Sequence, residues 1–214
     1  MPRLATFAFM TLMAACAAPG AGFPDPAVDQ KPATGLQKAI LGGGCFWCTE
    51  VVYQHVEGVT KVVSGYSGGS KQTANYRAVT GGDTGHAEVI EVTYDPKKVT
   101  FGQLLRVFFD VAHDPTQLNR QGPDYGPQYR SVIFYTNEEQ KQIAEAYIAQ
   151  LTEAKAFKKK IVTEVSPLTA FYPAEGYHQD YVNQNPGNPY VQVNALPKVD
   201  KLKKACPRLV RKKK

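Results

Sequence analysis

The order of the apolar segments along residues 38–165 is the feature that most constrains the fold. Alternating apolar and polar residues are typical of β-strands, whereas apolar residues three and four apart are typical of helices. These patterns predict, in chain order, a strand at 38–41, a helix from Cys45, strands at 58–66 and 87–94, a helix at 100–111 and a strand at 131–135. This βαββαβ order favours an α+β, ferredoxin-like fold, a two-layer α/β sandwich whose helices cover one face of a largely antiparallel sheet.

Helix-capping patterns support the two later helices. Thr100 followed by Gln103, and Asn137 followed by Gln140, each place a capping side chain three residues before an amide partner, as at the start of many helices. The second pattern predicts a helix at 137–151, followed by a strand at 161–165. The turn-rich stretch 110–130 is too long for a routine connection, so we expect it to be a functional loop.

The amino-terminal segment predicts export. Residues 4–18 are apolar or small and uncharged, follow Arg3, and are shorter than the roughly 20 residues that span a bilayer. We therefore expect a signal peptide at 1–18, a proline-rich linker at 19–36, and a periplasmic or lipid-anchored protein. Residues 13–16 resemble a lipoprotein processing site, which makes Cys16 a candidate for lipidation.

Positive charge is concentrated at the other end. The chain has 25 Lys and Arg against 19 Asp and Glu, and nine of the basic residues lie in 198–214. A nucleic-acid-binding protein would spread its charge over a folded face, so we expect no nucleic-acid partner. We assign a catalytic domain to 37–197 and a flexible, solvated basic tail to 198–214, and we expect a monomer.

Cys45 is the strongest candidate nucleophile. It follows Gly42, Gly43 and Gly44, which allow a tight turn from a strand into a helix. Unpaired backbone N–H groups and the helix dipole favour a thiolate there, so we expect the pKa of Cys45 to lie below about 8.5. A second thiol, Cys48, lies three residues further on.

Several motifs resemble one enzyme family. Gly44-Cys45-Phe46-Trp47 resembles the GCFW signature of class A peptide methionine sulfoxide reductases, and seven further blocks resemble the same family in order, at 65–69, 75–77, 84–88, 113–116, 122–126, 128–131 and 177–181. The resemblance covers about 39–197. It implies reduction of the S epimer of methionine sulfoxide, free or in oxidised proteins and peptides, to methionine.

Glu88 is the expected general acid. A sulfoxide sulfur becomes a good electrophile only when its oxygen is protonated or strongly hydrogen bonded as the thiolate attacks. Strand alternation places Glu88 on the same face as Ile90 and Val92, and Glu91 on the opposite face. Burial on the inner face would keep the Glu88 carboxyl protonated.

The resemblance implies roles for five further residues. Tyr76 and Tyr129 match tyrosines whose hydroxyls hold the sulfoxide oxygen, and Asp124 matches a carboxylate that arranges the pocket. Phe46 and Trp47 match the apolar wall for the substrate methyl group, which aromatic faces contact favourably. Burial alone would also account for Phe46 and Trp47.

The catalytic cycle requires a second thiol. Attack on the sulfoxide leaves a sulfenic acid, which condenses with a neighbouring thiol to form a disulfide. Both Cys48 and Cys206 are candidate resolving cysteines, with a slight preference for Cys206 in the flexible tail; Val191 occupies the segment where some relatives keep a recycling cysteine. We expect a thioredoxin-like dithiol as the reductant, and no metal or organic cofactor.

Other functions are compatible with parts of the sequence. The CxxC alone is also found in thioredoxin-like disulfide oxidoreductases. A cysteine hydrolase would pair Cys45 with His86 or His178. An anchored envelope protein could use its basic tail to bind anionic surfaces.

Overall fold

The computed structural model describes residues 22–212. The predicted signal peptide and Cys16 lie outside the described residues. Within residues 22–212, no helix combines the length and the apolar composition needed to cross a bilayer.

A six-stranded sheet forms one layer of the domain. Its strands run in the order β7-β6-β1-β3-β2-β8, and every neighbouring pair is antiparallel except β6 and β7. A separate two-stranded hairpin, β4-β5, lies in the predicted functional loop. The strands are β1 (Gln37–Gly43), β2 (Val59–Ser67), β3 (Ala87–Tyr94), β4 (Arg120–Gln121), β5 (Asp124–Tyr125), β6 (Ser131–Tyr135), β7 (Glu164–Pro167) and β8 (Phe171–Pro173).

Between residues 22 and 212, six α-helices accompany the sheet. They are α1 (Phe46–Gln54), α2 (Tyr76–Val79), α3 (Phe101–Val107), α4 (Glu138–Glu153), α5 (Tyr181–Gln184) and α6 (Leu196–Ala205). Wider helical turns extend α3 through Phe108–Ala112 and precede α6 at Val191–Ala195. Both predicted capping arrangements are present, since Thr100 accepts from the Gln103 N–H and Asn137 accepts from the Gln140 N–H.

The predicted fold class is confirmed. The four strands expected from the βαββαβ pattern are β1, β2, β3 and β6, and their spatial order β6-β1-β3-β2 is that of the split βαβ arrangement. The register aligns Leu41, Ile90 and Ile133 on the face covered by the helices. On the opposite face, Ile40 and Val132 form a smaller cluster with neighbouring apolar residues.

The expected strand at 161–165 begins later, as β7 (Glu164–Pro167), and it pairs parallel to β6. This register places Val165 beside Ile133. The predicted strand therefore exists, but its start was placed three residues too early.

The prediction of a flexible tail at 198–214 is wrong for the residues up to 209. Residues 196–209 form α6 and a short 3₁₀ turn, and Val199, Leu202, Cys206 and Leu209 are buried. Their spacing of three and four residues gives one apolar helical face, which packs against α1 and the 108–112 turn. The many lysines occupy the other face. The high charge of this segment therefore led to the prediction of a solvated tail instead of an amphipathic helix.

The expected linker also packs on the domain. The Asp29 carboxylate accepts from the Gly102 N–H at 2.8 Å and from the Thr100 hydroxyl, at the start of α3. The Tyr147 hydroxyl donates to the carbonyl of Pro24 at 2.8 Å. The segment from residue 22 onward is therefore attached to α3 and α4 rather than acting as a free spacer.

Replacing Leu202 with alanine tests the docking of α6. Leu202 is fully buried in the main core, so Leu202→Ala should lower the free energy of unfolding by about 2–5 kcal/mol in urea titrations. Val193→Ala, at an exposed position, should change it by less than about 0.5 kcal/mol. Equal stability of both variants and the wild type would show that α6 is detached in solution.

Candidate active site

The start of α1 positions two thiols. Gly44 connects β1 to the helix with a φ of +88°, and a Cβ atom there would lie 2.5 Å from the Gln121 side chain, so only glycine fits. Cys45 is the N-cap residue of α1, and Cys48 lies one turn further on, where its N–H donates to the Cys45 carbonyl at 3.1 Å. The side chains of Cys45 and Cys48 are both buried, and the Cys48 thiol donates to the Tyr190 hydroxyl at 3.8 Å.

The pKa of Cys45 differs from the expected lowered value. Burial, then the neighbouring Cys48 and Glu88, raise the pKa of Cys45 well above its ordinary value. The neighbouring Cys45 thiol, and then the Lys198 cation, lower the pKa of Cys48 to about 7. Position at a helix start favoured a lowered pKa, but desolvation and the second thiol outweigh it. The pair therefore loses one proton near neutral pH and holds the other.

Glu88 lies beside the start of α1. Its Oε2 accepts a hydrogen bond from the Phe46 backbone N–H at 3.0 Å, and its side chain is only 2% exposed. Burial raises the pKa of Glu88 to about 8, even though the Phe46 N–H favours the ionised form. Glu88 is consequently a mostly protonated carboxylic acid at pH 7, next to Cys45.

Two tyrosines and a second carboxyl face the same space. Burial and the nearby Glu88 and Cys45 raise the pKa of both Tyr76 and Tyr129, so their hydroxyls remain protonated donors. Asp124, in β5, accepts a hydrogen bond from the Tyr190 hydroxyl at 2.5 Å. The structure therefore brings Tyr76, Tyr129 and Asp124, predicted from three separate stretches of chain, near Cys45 and Glu88.

The aromatic pair occupies two different environments. Phe46 is buried, with its ring centroid 5.0 Å from that of His178. Trp47 stacks on Tyr181, with ring centroids 3.8 Å apart and planes 7° apart, and its Nε1–H donates to His178 Nδ1 at 3.1 Å. The indole is therefore held in one orientation by residues far along the chain.

Tyr190 and Lys198 belong to the site and were missed by sequence reasoning. Both line a small cavity of about 70 Å³ together with Cys45, Cys48 and Asp124. The Lys198 ammonium donates to the carbonyl of Ala112 at 2.7 Å. Lys198 was assigned to a solvated tail, and no local pattern distinguishes it from the other lysines there.

Cys206 lies elsewhere. It is buried near Tyr53 and Arg106, at the carboxyl end of α1, where the Glu57 N–H donates to the Leu209 carbonyl. At about 1.5 Å per residue, Tyr53 is about 12 Å along the helix from Cys45. The preference for Cys206 as the resolving thiol depended on a flexible tail, and the packing of α6 removes that basis.

The two histidines considered as partners of Cys45 have other partners. His86 Nδ1 accepts from the Gly69 N–H, and His86 Nε2 lies 2.9 Å from the Ser70 carbonyl oxygen. His178 Nδ1 accepts from Trp47. A hydrolase pair of thiol and imidazole is therefore not assembled around Cys45.

Similarity to known proteins agrees with this geometry. A family model described as peptide methionine sulfoxide reductase matches residues 37–209. The chain is 56% identical to the peptide methionine sulfoxide reductase MsrA 2 of Synechocystis sp., over 84% of this chain and 86% of that protein. It is also 56% identical to MsrA 2 of Mesorhizobium japonicum, over 87% of this chain and 95% of that protein.

Solved structures agree as well. The reduced form of Mxr1 from Saccharomyces cerevisiae gives a TM-score of 0.67 at 32% identity, over 87% of this chain and 98% of that chain. Methionine sulfoxide reductase A of Corynebacterium diphtheriae gives 0.62 at 34% identity, over 79% of this chain and 90% of that chain.

A buried dithiol at a helix start, beside a protonated carboxyl in a ferredoxin-like sandwich, defines a thiol-dependent oxidoreductase. The chain belongs to the peptide methionine sulfoxide reductase family. The family match ends at residue 209, at the end of the short 3₁₀ turn that follows α6, and so includes the folded part of the expected tail.

Replacing Lys198 with methionine tests the charge of the cavity. The Lys198 cation favours the thiolate, so Lys198→Met should raise the pKa of the first thiol ionisation above about 7. The rate of iodoacetamide alkylation at pH 7 should fall, and the pH profile should shift to higher pH.

Lys201→Met is the matched control, because Lys201 lies one turn later on α6 and its ammonium is 4.0 Å from Asp110. This variant should leave the alkylation profile in place. Identical profiles for the Lys198 variant and the wild type would contradict the role assigned to the cation.

Proposed function

We propose that this chain reduces the S epimer of methionine sulfoxide, free or in oxidised proteins and peptides, to methionine, with Cys45 as nucleophile and Glu88 as general acid. One observation carries the proposal: the Phe46 N–H binds one oxygen of a buried, protonated Glu88 carboxyl at the turn that presents Cys45. A thiol and a proton donor are thereby held together in a buried site.

The first step transfers oxygen to sulfur. The Cys45 proton passes to the neighbouring Cys48 thiolate, and the resulting Cys45 thiolate attacks the sulfoxide sulfur while Glu88 protonates the oxygen. Methionine leaves and Cys45 becomes a sulfenic acid, so the substrate sulfur gains the two electrons that Cys45 loses. Tyr76 and Tyr129 donate to the oxygen as negative charge develops on it.

Apolar walls fix the substrate around this point. The methyl group lies against Trp47 and Phe46, whose aromatic faces contact sulfur-bound methyls favourably. Asp124 accepts a hydrogen bond from the Tyr190 hydroxyl. It acts through Tyr190 and so arranges the side of the cavity next to Cys48.

Cys48 resolves the sulfenic acid. Its sulfur attacks Cys45, a disulfide forms and water leaves. Cys48 has the lower pKa of the pair and contacts Cys45 already, whereas Cys206 is buried at the opposite end of α1. A thioredoxin-like dithiol then reduces the disulfide by exchange and restores both thiols.

Cellular location is proposed from sequence alone. Export to the periplasm, with Cys16 as a lipid anchor, follows from residues 1–18. Labelled palmitate should be incorporated into the wild type and not into Cys16→Ala.

Replacing Glu88 with glutamine tests the general acid. Glu88→Gln keeps the size but cannot supply the proton, so kcat for dithiothreitol-driven reduction should fall by about 10²–10⁴-fold. In the wild type, activity requires the protonated form and should decrease as pH rises above about 8. This loss at high pH should be absent from the residual activity of the variant.

Glu91→Gln provides the matched control, because Glu91 lies on the opposite face of β3 and pairs with Lys38. Its kcat should be close to that of the wild type. Full activity in Glu88→Gln would overturn the assignment.

Disulfide mapping distinguishes the two candidate resolving cysteines. After one turnover without reductant, the wild type and Cys206→Ser should contain a Cys45–Cys48 disulfide by mass spectrometry. Cys48→Ser should instead retain a sulfenic acid at Cys45 that reacts with dimedone. A Cys45–Cys206 disulfide in the wild type would contradict the proposal.

A further inference from the structure

The orientation of Trp47 depends on a segment distant in sequence. Residues 176–184 supply both Tyr181, which stacks on the indole, and His178, which accepts its N–H. Outside this segment, the Tyr190 ring meets the indole edge-on, with ring centroids 6.1 Å apart. The position of the Trp47 indole in the apolar wall therefore depends on residues 176–184.

Glu50 anchors the segment between those two residues. Its two carboxylate oxygens each lie 3.1 Å from the Asp180 backbone nitrogen, which donates to them. Asp180 has a φ of +52°, a left-handed conformation that non-glycine residues adopt at a cost. The hydrogen bond to Glu50 holds this turn between His178 and Tyr181.

A second contact extends the anchor along the same helical face. Gln54 donates to the Asp180 carboxylate at 3.0 Å and accepts from Asn183 at 3.0 Å. Trp47, Glu50 and Gln54 are three and four residues apart, so one face of α1 holds the segment along its length.

We propose that Glu50 is a positioning residue of the substrate site, which fixes the Trp47 indole by anchoring Asp180 between His178 and Tyr181. The proposal rests on the proposed function, in which Trp47 contacts the substrate methyl. Glu50 is buried, and burial raises its pKa to about 7. A hydrocarbon side chain would fill this position without the cost of burying a carboxyl, but it could not bind the Asp180 N–H.

Trp47 provides a direct readout, because it is the single tryptophan of the chain. In Glu50→Ala, the fluorescence emission of Trp47 should shift to longer wavelength, and the indole should become more accessible to quenching by acrylamide. Contact with the wall is made by bound substrate and transition state alike, so KM for methionine sulfoxide should rise about tenfold while kcat stays within about twofold.

Two controls and a double-mutant cycle separate positioning from general destabilisation. Glu50→Gln retains one acceptor oxygen and should keep KM and emission close to wild type, and Glu91→Ala should leave both unchanged. In a Trp47→Ala background, Glu50→Ala should change KM by less than about twofold, because its effect passes through the indole.

Unchanged emission and KM in Glu50→Ala, or a full tenfold effect in the Trp47→Ala background, would overturn the proposal. If Glu50→Ala does not fold, Glu50→Asp, which withdraws the carboxylate by one methylene, takes its place with the same expected results. If the wild type reduces no methionine sulfoxide, the proposed function fails, whereas the fluorescence of the Glu50 variants still decides whether Glu50 holds Trp47.

Discussion

The hydrogen bond from the Phe46 N–H to the Glu88 carboxyl links the two halves of the site. It joins the first turn of α1 to β3, so the thiol of Cys45 and the acid on the sheet are held at a fixed separation. The same burial that keeps Glu88 protonated also raises the pKa of Cys45. Cys45 and Glu88 therefore keep their protons near neutral pH, and in the proposed mechanism the Cys45 thiolate is formed by proton transfer within the pair of thiols.

The rest of the fold supports this junction from distant parts of the chain. The hairpin β4-β5 brings Asp124, the turn before α6 brings Tyr190, and α6 brings Lys198 to the cavity beside Cys48. On the other side of α1, residues 176–184 hold Trp47. A helix of nine residues thus presents a different functional contact on each of its faces, which explains why so much of the chain packs around it.

Local patterns predicted much of this structure. Alternation in β3 placed Glu88 on the inner face, and capping pairs located the starts of α3 and α4. The predictions that were wrong depended on tertiary burial. The charges of α6 concealed its apolar face, and the shift of the Cys45 pKa is caused by desolvation and by Cys48. The contributions of Lys198, Tyr190 and Glu50 require contacts over more than 100 residues, which no local pattern encodes.

The central claim is that the sulfur of Cys45 accepts the oxygen of the substrate. It is tested most directly by the amount of methionine formed from methionine S-sulfoxide when no reductant is added, with Cys48→Ser and Cys45→Ser compared side by side. The account predicts one methionine per chain in Cys48→Ser and none in Cys45→Ser. Stoichiometric methionine from Cys45→Ser would contradict it.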